Sequence, residues 1–328
     1  MQSYQETLSQ ASHFIKENND FLVVSHVNPD GDAIGSSLAM AHMLSNLNKN
    51  FVVANEGPVP KRFSFLTGIE QLQNFSIEEP STTFTNVITV DSADEQRIGS
   101  TINFIADQSQ ILNIDHHPTN TLFGDLNLIL STAASTTEIL YDLFHAHFKE
   151  FMDVAVAEAL YTGLLTDTGG FRYSNTSQSV LEKAAYLLSY GIKPNVIAEH
   201  ALETISVSYL GLLRQVLQSL QFSFKNKAAS LTVTLADLKQ SNASKDDVDG
   251  LISYPRNIEG VEVGILFKEI SHDEVKVSLR SKNFVDVSEI AQRHGGGGHA
   301  KAAGFTFYGS ITEAQELIAN DLQKILGD

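Results

Sequence analysis

The sequence of 328 residues contains no cysteine and no tryptophan. Without cysteine there is no disulfide, no thiolate-held zinc or iron–sulfur cluster, and no cysteine nucleophile. Any metal must be held by His, Asp or Glu. Positive charge is scarce: 22 Lys and Arg stand against 39 Asp and Glu, a formal net charge of −17. That balance argues against a general binder of long duplex nucleic acid, which needs many basic contacts. No apolar run approaches the ~18–20 residues of a membrane span. Residues 1–6 lack the charged and apolar regions of a signal peptide, so a cytoplasmic protein without membrane association is expected.

What is present suits a two-domain globular chain. Hydrophobic residues make up 42%, which excludes wholesale disorder. The length suffices for about two domains with separate cores. The acids are unevenly spread: residues 1–221 carry 10 Lys and Arg against 24 Asp and Glu, while residues 222–328 carry 12 against 15. An acidic lobe is expected over 1–190 and a more balanced one over 222–328, with a helical linker at 191–221. Gly191, Lys193 and Pro194 break one helical pattern, and Leu210, Leu213, Leu217 and Leu220 fit one apolar helix face.

The first lobe alternates strands and helices. Strand-like runs at 21–24, 51–54, 86–90 and 111–114 predict an α/β domain with a mostly parallel sheet covered by helices on both faces. The second lobe, with strands expected at 228–235, 261–270, 275–280 and 304–308 and a closing helix over 310–326, reads as a smaller mixed-sheet α/β domain.

Several apolar runs end in acids. The first leads into His26, Asp30 and Asp32, another ends in Asp91, and a third ends in Asp115-His116-His117. Asp167 follows the apolar stretch 160–165. Carboxyl ends of parallel strands face one edge, where ligands bind, so these residues are expected to converge. A single Asp at a strand end is commonly a helix cap or a turn residue. Five carboxylates in one crevice repel unless cations neutralise them, and a mixed His/Asp set suits a transition ion such as Mn²⁺. Asp115 is expected to orient a ligating His rather than bind metal itself.

His26-x-x-Pro29-Asp30-x-Asp32-Ala33, Val90-Asp91, Asp115-His116-His117 and Thr166-Asp167-Thr168-Gly169 together resemble the four motifs of DHH phosphoesterases. In the second lobe Gly295-Gly296-Gly297-Gly298-His299, with Ala302-Ala303-Gly304, is similar to the glycine-rich signature of DHHA1 domains. The resemblance implies a two-domain cleft with a pair of Mn²⁺ ions, Mg²⁺ or Co²⁺ serving in vitro. His26, Asp30 and Asp91 would hold one ion. Asp32, Asp91, His116 and Asp167 would hold the other, with Asp91 bridging and His117 facing the substrate phosphate. Two cations about 4 Å apart can activate a bridging water and clamp the attacking and leaving oxygens of an in-line displacement.

In the second lobe Gly297 and Gly298 let backbone N–H groups approach an anion, and His299 adds a donor. Arg280, ending a strand beside Ser281, suits a terminal phosphate. Arg172 follows the Asp167 motif and is a further phosphate candidate. The resemblance points most closely to NrnA-type nanoRNases. It implies short oligoribonucleotides, linear dinucleotides such as pApA, and 3′-phosphoadenosine 5′-phosphate as substrates, with 5′-monophosphates as products. Cyclic di-AMP phosphodiesterases, RecJ-like single-strand exonucleases and a nucleotide sensor with inactive metal sites stay open as alternatives, as does a homodimeric state. A family II pyrophosphatase would share the first lobe but not the glycine-rich second one.

Overall fold

The computed structural model describes residues 3–77, 80, 82–243 and 246–327. Met1 and Gln2, part of the N-terminal stretch read above, and Asp328, the last residue of the expected second domain, lie outside the described residues. The chain divides into two compact units, Met1–Thr204 and Ile205–Asp328. Among the described residues no single helix is long and apolar enough to cross a membrane.

The first unit opens with α1 (Tyr4–Glu17), started by a capping box in which Ser3 and Glu6 exchange hydrogen bonds. A parallel sheet follows, formed by β1 (Phe21–Val24), β2 (Phe51–Asn55), β3 (Leu72–Asn74), β4 (Phe84–Val90), β5 (Ile105–Asp115) and β6 (Leu126–Ile129). Its order is β3-β2-β1-β4-β5-β6, and every pairing is parallel. All four residues of β1 are buried, as the unbroken apolar run requires of a strand covered on both faces. The connection reverses direction between β1 and β4, which opens a crevice at their carboxyl ends.

Helices α2 (Gly31–Asn46), α3 (Thr136–His147), α4 (Val154–Asp167), α5 (Gln178–Leu188) and α6 (Pro194–Ala198) complete the unit. Residues of α2, α3 and α4 share one apolar core with the strands. Gly35 permits the close approach of α2 to α4, because a Cβ there would collide with the Ala159 carbonyl. Asp167 is the last residue of α4, so it reaches the crevice from a helix end and not from a strand end like Asp91 and Asp115.

The second unit begins with α7 (Val207–Val216) and builds a mixed sheet from β7 (Gln221–Ser223), β8 (Ala228–Val233), β9 (Val263–Ser271), β10 (Glu274–Ser281), β11 (Gly297–His299) and β12 (Ala302–Tyr308). The order is β11-β12-β10-β9-β8-β7; only β8 and β9 pair in parallel. The helices are α8 (Leu235–Ser241), α9 (Ser253–Asn257), α10 (Val287–Arg293) and α11 (Ile311–Leu326).

Three local expectations change. The 191–221 stretch is split between the units, α6 in the first and α7 in the second. On α7 the packed face is Tyr209, Leu212, Leu213 and Val216, while Leu210 and Leu217 are exposed. Both stripes have helical spacing, so periodicity alone does not choose between them. The strand expected to reach residue 235 stops at Val233, because Thr234 and Asp237 form a capping box that turns Leu235 into the start of α8.

Candidate metal centre

The crevice at the ends of β1 and β4 collects His26, Asp30, Asp32, Asp91, His116, His117 and Asp167. Among the described residues three sets offer donor atoms within 4.8 Å of one another: His26 with Asp30 and Asp91, Asp32 with His116 and Asp167, and Asp91 with His116 and His117. Asp91 and His116 each belong to two sets.

Each side chain is aimed by its neighbours. The Nδ1 of His26 donates to the Val27 carbonyl at 2.8 Å, which leaves Nε2 facing Asp91 Oδ2 at 3.4 Å and Asp30 Oδ1 at 3.9 Å. Asp30 is the N-cap of α2 and accepts from the N–H groups of Asp32 and Ala33 at 3.0 and 3.1 Å. Asp91 follows β4 with φ +56°, a left-handed backbone that non-glycine residues adopt rarely. Its N–H still donates to Ile114 at 3.0 Å. Nε2 of His116 lies 3.4 Å from Asp167, 3.6 Å from Asp91 and 4.0 Å from Asp32. Behind His116, Ala133 turns its carbonyl to the ring Nδ1 at 3.4 Å. The neighbouring Ala134 N–H donates to Glu138 at 2.7 Å, and Lys183 clamps Glu138 at 3.0 Å.

His117 is arranged differently. Its Nδ1 donates to Asp115 at 2.7 Å, and Asn120 donates to the other Asp115 oxygen at 2.7 Å. Asp115 is fully buried with both oxygens engaged. The histidine it orients is therefore His117, whereas His116 is oriented by a backbone carbonyl. With Nδ1 committed, His117 has Nε2 left to offer, 3.5 Å from a guanidinium nitrogen of Arg97. Sequence reading did not single out Arg97. Its backbone carbonyl accepts from Val27 N–H at 2.7 Å, which ties it to the His26 loop.

The electrostatics of the crevice are set by crowded carboxylates. Burial raises the Asp32 and Asp167 carboxyls well above the ordinary carboxylate value, and neighbouring carboxylates raise them further. Burial disfavours the His26 imidazolium, but Asp30 and Asp91 overcome it and lift His26 to about 10. Asp30 is pulled the opposite way by His26, against its own burial. The hydrogen bond to Asp115 raises His117. A divalent ion held among these carboxylates would relieve their mutual repulsion. Imidazole nitrogens and buried carboxylate oxygens in one small volume fit such an ion chemically.

Arg172 is exposed and donates through Nε to the Gly169 carbonyl at 2.6 Å. In the second unit Arg280 pairs across the sheet with Gly264 and Ala302 near the end of β10. Ser281 is buried, its hydroxyl donating to Val285 O at 2.7 Å. Gly297, Gly298 and His299 form the exposed edge strand β11, paired with β12. Sequence reading also missed Thr136 and Thr137. The Ser135-Thr136-Thr137-Glu138 string has the pattern of a helix start, and Ser135 does cap α3, but nothing local signals that its next two residues bind Asp32 and Asp91.

Residues 20–164 match the model of the DHH family, N-terminal domain, and residues 226–327 match the DHHA1 domain. A relative from Thermus thermophilus, named a bifunctional oligoribonuclease and PAP phosphatase NrnA, is 34% identical over 93% of this chain and 89% of its own length. A Bacillus subtilis relative of the same name is 28% identical over 90% of this chain and 91% of its own. The crystal structure of an exopolyphosphatase-related protein from Bacteroides fragilis superposes with a TM-score of 0.89 at 27% identity, covering 98% of this chain and 96% of that one. By sequence and by fold, the chain belongs to the DHH family, with a DHHA1 domain as its second unit.

Proposed function

We propose that the chain is a phosphoesterase acting in the cytoplasm on short oligoribonucleotides and linear dinucleotides, and on 3′-phosphoadenosine 5′-phosphate, with two Mn²⁺ ions bound in the first unit. The observation that carries this reading is the sharing of Asp91 between donor sets that contain His26 and His116. The names borne by the Thermus and Bacillus relatives point to the same substrates. His26, Asp30 and Asp91 would hold one ion; Asp32, Asp91, His116 and Asp167 would hold the other. Such ions would supply water activation at neutral pH and neutralise charge on the phosphoryl group. His117, fixed by Asp115, and Arg97 beside it donate to the phosphate oxygens. Arg280 and His299 supply phosphate-binding donors in the second unit. A −17 chain offers few cations for counterion release, so added substrate length adds little binding.

The test is a panel with and without Mn²⁺: pApA, RNA of two to about twenty nucleotides, 3′-phosphoadenosine 5′-phosphate, cyclic di-AMP and pyrophosphate, at fixed ionic strength. Expected are metal-dependent turnover and a kcat/KM that falls with RNA length. Full activity after exhaustive chelation overturns the metal reading, and a flat or rising length profile overturns the short-substrate reading.

A further inference from the structure

The carboxylates of the two expected ion sites are held by different means. Asp30 leaves about half of its side chain in solvent, at 51% exposure, and its Oδ1 is occupied with capping α2. Asp32 is fully buried and bound by the first turn of α3. Thr136 N–H donates to Oδ2 at 2.6 Å, and Thr137 donates to Oδ1 twice, through N–H at 2.9 Å and through its hydroxyl at 2.8 Å. The same turn reaches Asp91, where the Thr136 hydroxyl donates to Oδ1 at 3.1 Å. That oxygen is the one facing His116; Oδ2 faces His26. The threonines therefore touch carboxylate oxygens on the His116 side alone.

A carboxylate oxygen has two in-plane acceptor positions. Both on Asp32 Oδ1 are filled by Thr137. Oδ2 has one filled by Thr136 and one remaining, on the oxygen that faces His116. Asp32 is thus set as a single-oxygen donor of fixed direction. The N-terminal end of α3 also favours its negative charge. There is no room for the turn to shift inward, since a Cβ on Gly163 would collide with Thr137 and Asp32.

We propose that Thr136 and Thr137 are positioning residues for the His116–Asp32–Asp167 set, making it the preorganised and tighter of two unequal metal sites. The His26–Asp30–Asp91 set, with its half-exposed carboxylate, fills second. This rests on the two-ion reading above. Preorganisation spares the ordering cost that the second set meets on binding.

The experiment is a calorimetric Mn²⁺ titration of the metal-free full chain, with kinetics at limiting and saturating Mn²⁺. Wild type should show two steps. Thr136→Val and Thr137→Val should weaken the tighter step by about 10–100-fold and leave the other within about twofold. Asp30→Asn should weaken the looser step only, which assigns the steps. Thr137→Ser should restore the tight step. The kcat of the Val variants should recover in excess Mn²⁺ with an unchanged KM for nucleotide. Thr136→Pro removes the N–H to Asp32 at a helix position that accepts proline, behind a Ser135 already extended at φ −160°, ψ 162°. It should match or exceed Thr136→Val. Melting curves of the metal-free variants separate unfolding from lost positioning, and Ser37→Ala, a buried hydroxyl without a partner, should change nothing. Absence of any Mn²⁺ binding by wild type overturns the two-ion reading itself. Two wild-type steps that the Val variants leave unchanged, or weaken equally, overturn the positioning role alone, as does a Ser variant no better than Val.

Discussion

In the first unit Asp32 lies fully buried 4.0 Å from His116, and Asp91, also buried, faces His26 at 3.4 Å and His116 at 3.6 Å. In the second unit Glu262 is just as deeply buried, at 3% exposure, and is met by donors alone: the N–H groups of Asn283, Phe284 and Val285 and the Asn283 amide, all within 3.1 Å. Burial raises both kinds of carboxylate. Around Glu262 the hydrogen bonds outweigh it and the carboxyl titrates low; around Asp32 neighbouring carboxylates add to it and the carboxyl titrates high. One arrangement is complete as it stands and serves the fold. The other sets buried carboxylates against one another, and on the reading proposed above a cation completes it. A buried acid therefore reports function through the sign of its surroundings and not through burial itself.

The widest gap between the units should open at Asp91. Asp91→Ala is expected to cut turnover by ~10²-fold or more and to abolish tight Mn²⁺ binding, measured by kinetics and metal analysis. Retention of a tenth of the activity breaks the bridging assignment. Next in size, Glu262→Gln should destabilise the chain by about 1–3 kcal/mol through lost charge-assisted hydrogen bonds, with metal content unchanged. Asp167→Asn should do the reverse, raising the melting temperature of the metal-free chain and removing its response to Mn²⁺. Equal signs in the two melts would erase the comparison.

A third contrast lies in pH. His26 titrates near 10 in the folded state against about 6.5 in a free chain. Its contribution is complete below pH 6.5 and is lost as pH rises toward 10. The raised Asp32 and Asp167 carboxyls act in the same direction. Glu262 and Asp321 are lowered, against burial, by backbone donors and by His294 respectively. Their contribution is present above the free carboxyl value of about 4 and is lost as pH falls through the folded value. Hydrogen exchange of the metal-free chain should show α2 and α4 loosening as pH rises from 6.5 to about 9, and β10 and α11 loosening under acid. Mn²⁺ should suppress the alkaline change only.

The smallest effects should come from the second unit's half-buried Arg280 and exposed His299. Arg280→Ala and His299→Ala should each raise KM for short nucleotides about tenfold, the scale of one hydrogen bond to a charged group. Metal content should stay at the wild-type level. Loss of bound Mn²⁺ in His299→Ala would move that histidine into the metal set.

The sequence made the crevice side chains legible because each follows an apolar run, and strand ends converge by topology. His26, Asp91 and His116 needed only that rule. Asp167 was read from the apolar stretch 160–165 by the same rule, but it arrives by a different route, through a helix that Gly35 lets close on α2. Arg97, Thr136 and Thr137 were not legible. Their partners lie 20, 45 and 105 residues away, and a threonine at a helix start looks the same whether its N–H meets water or a buried carboxylate. The misplaced face of α7 has a simpler cause, two apolar stripes on one helix.

The left-handed backbone at Asp91 is held by its contacts and not by its own preference. Glycine would rest more easily at φ +56°, yet it would take from His26 a carboxylate that helps hold its proton and from the Thr136 hydroxyl its acceptor. The relief of the backbone and the loss of these partners oppose each other. Position 91 is therefore a poor target for directed evolution toward thermostability, whether or not turnover is screened.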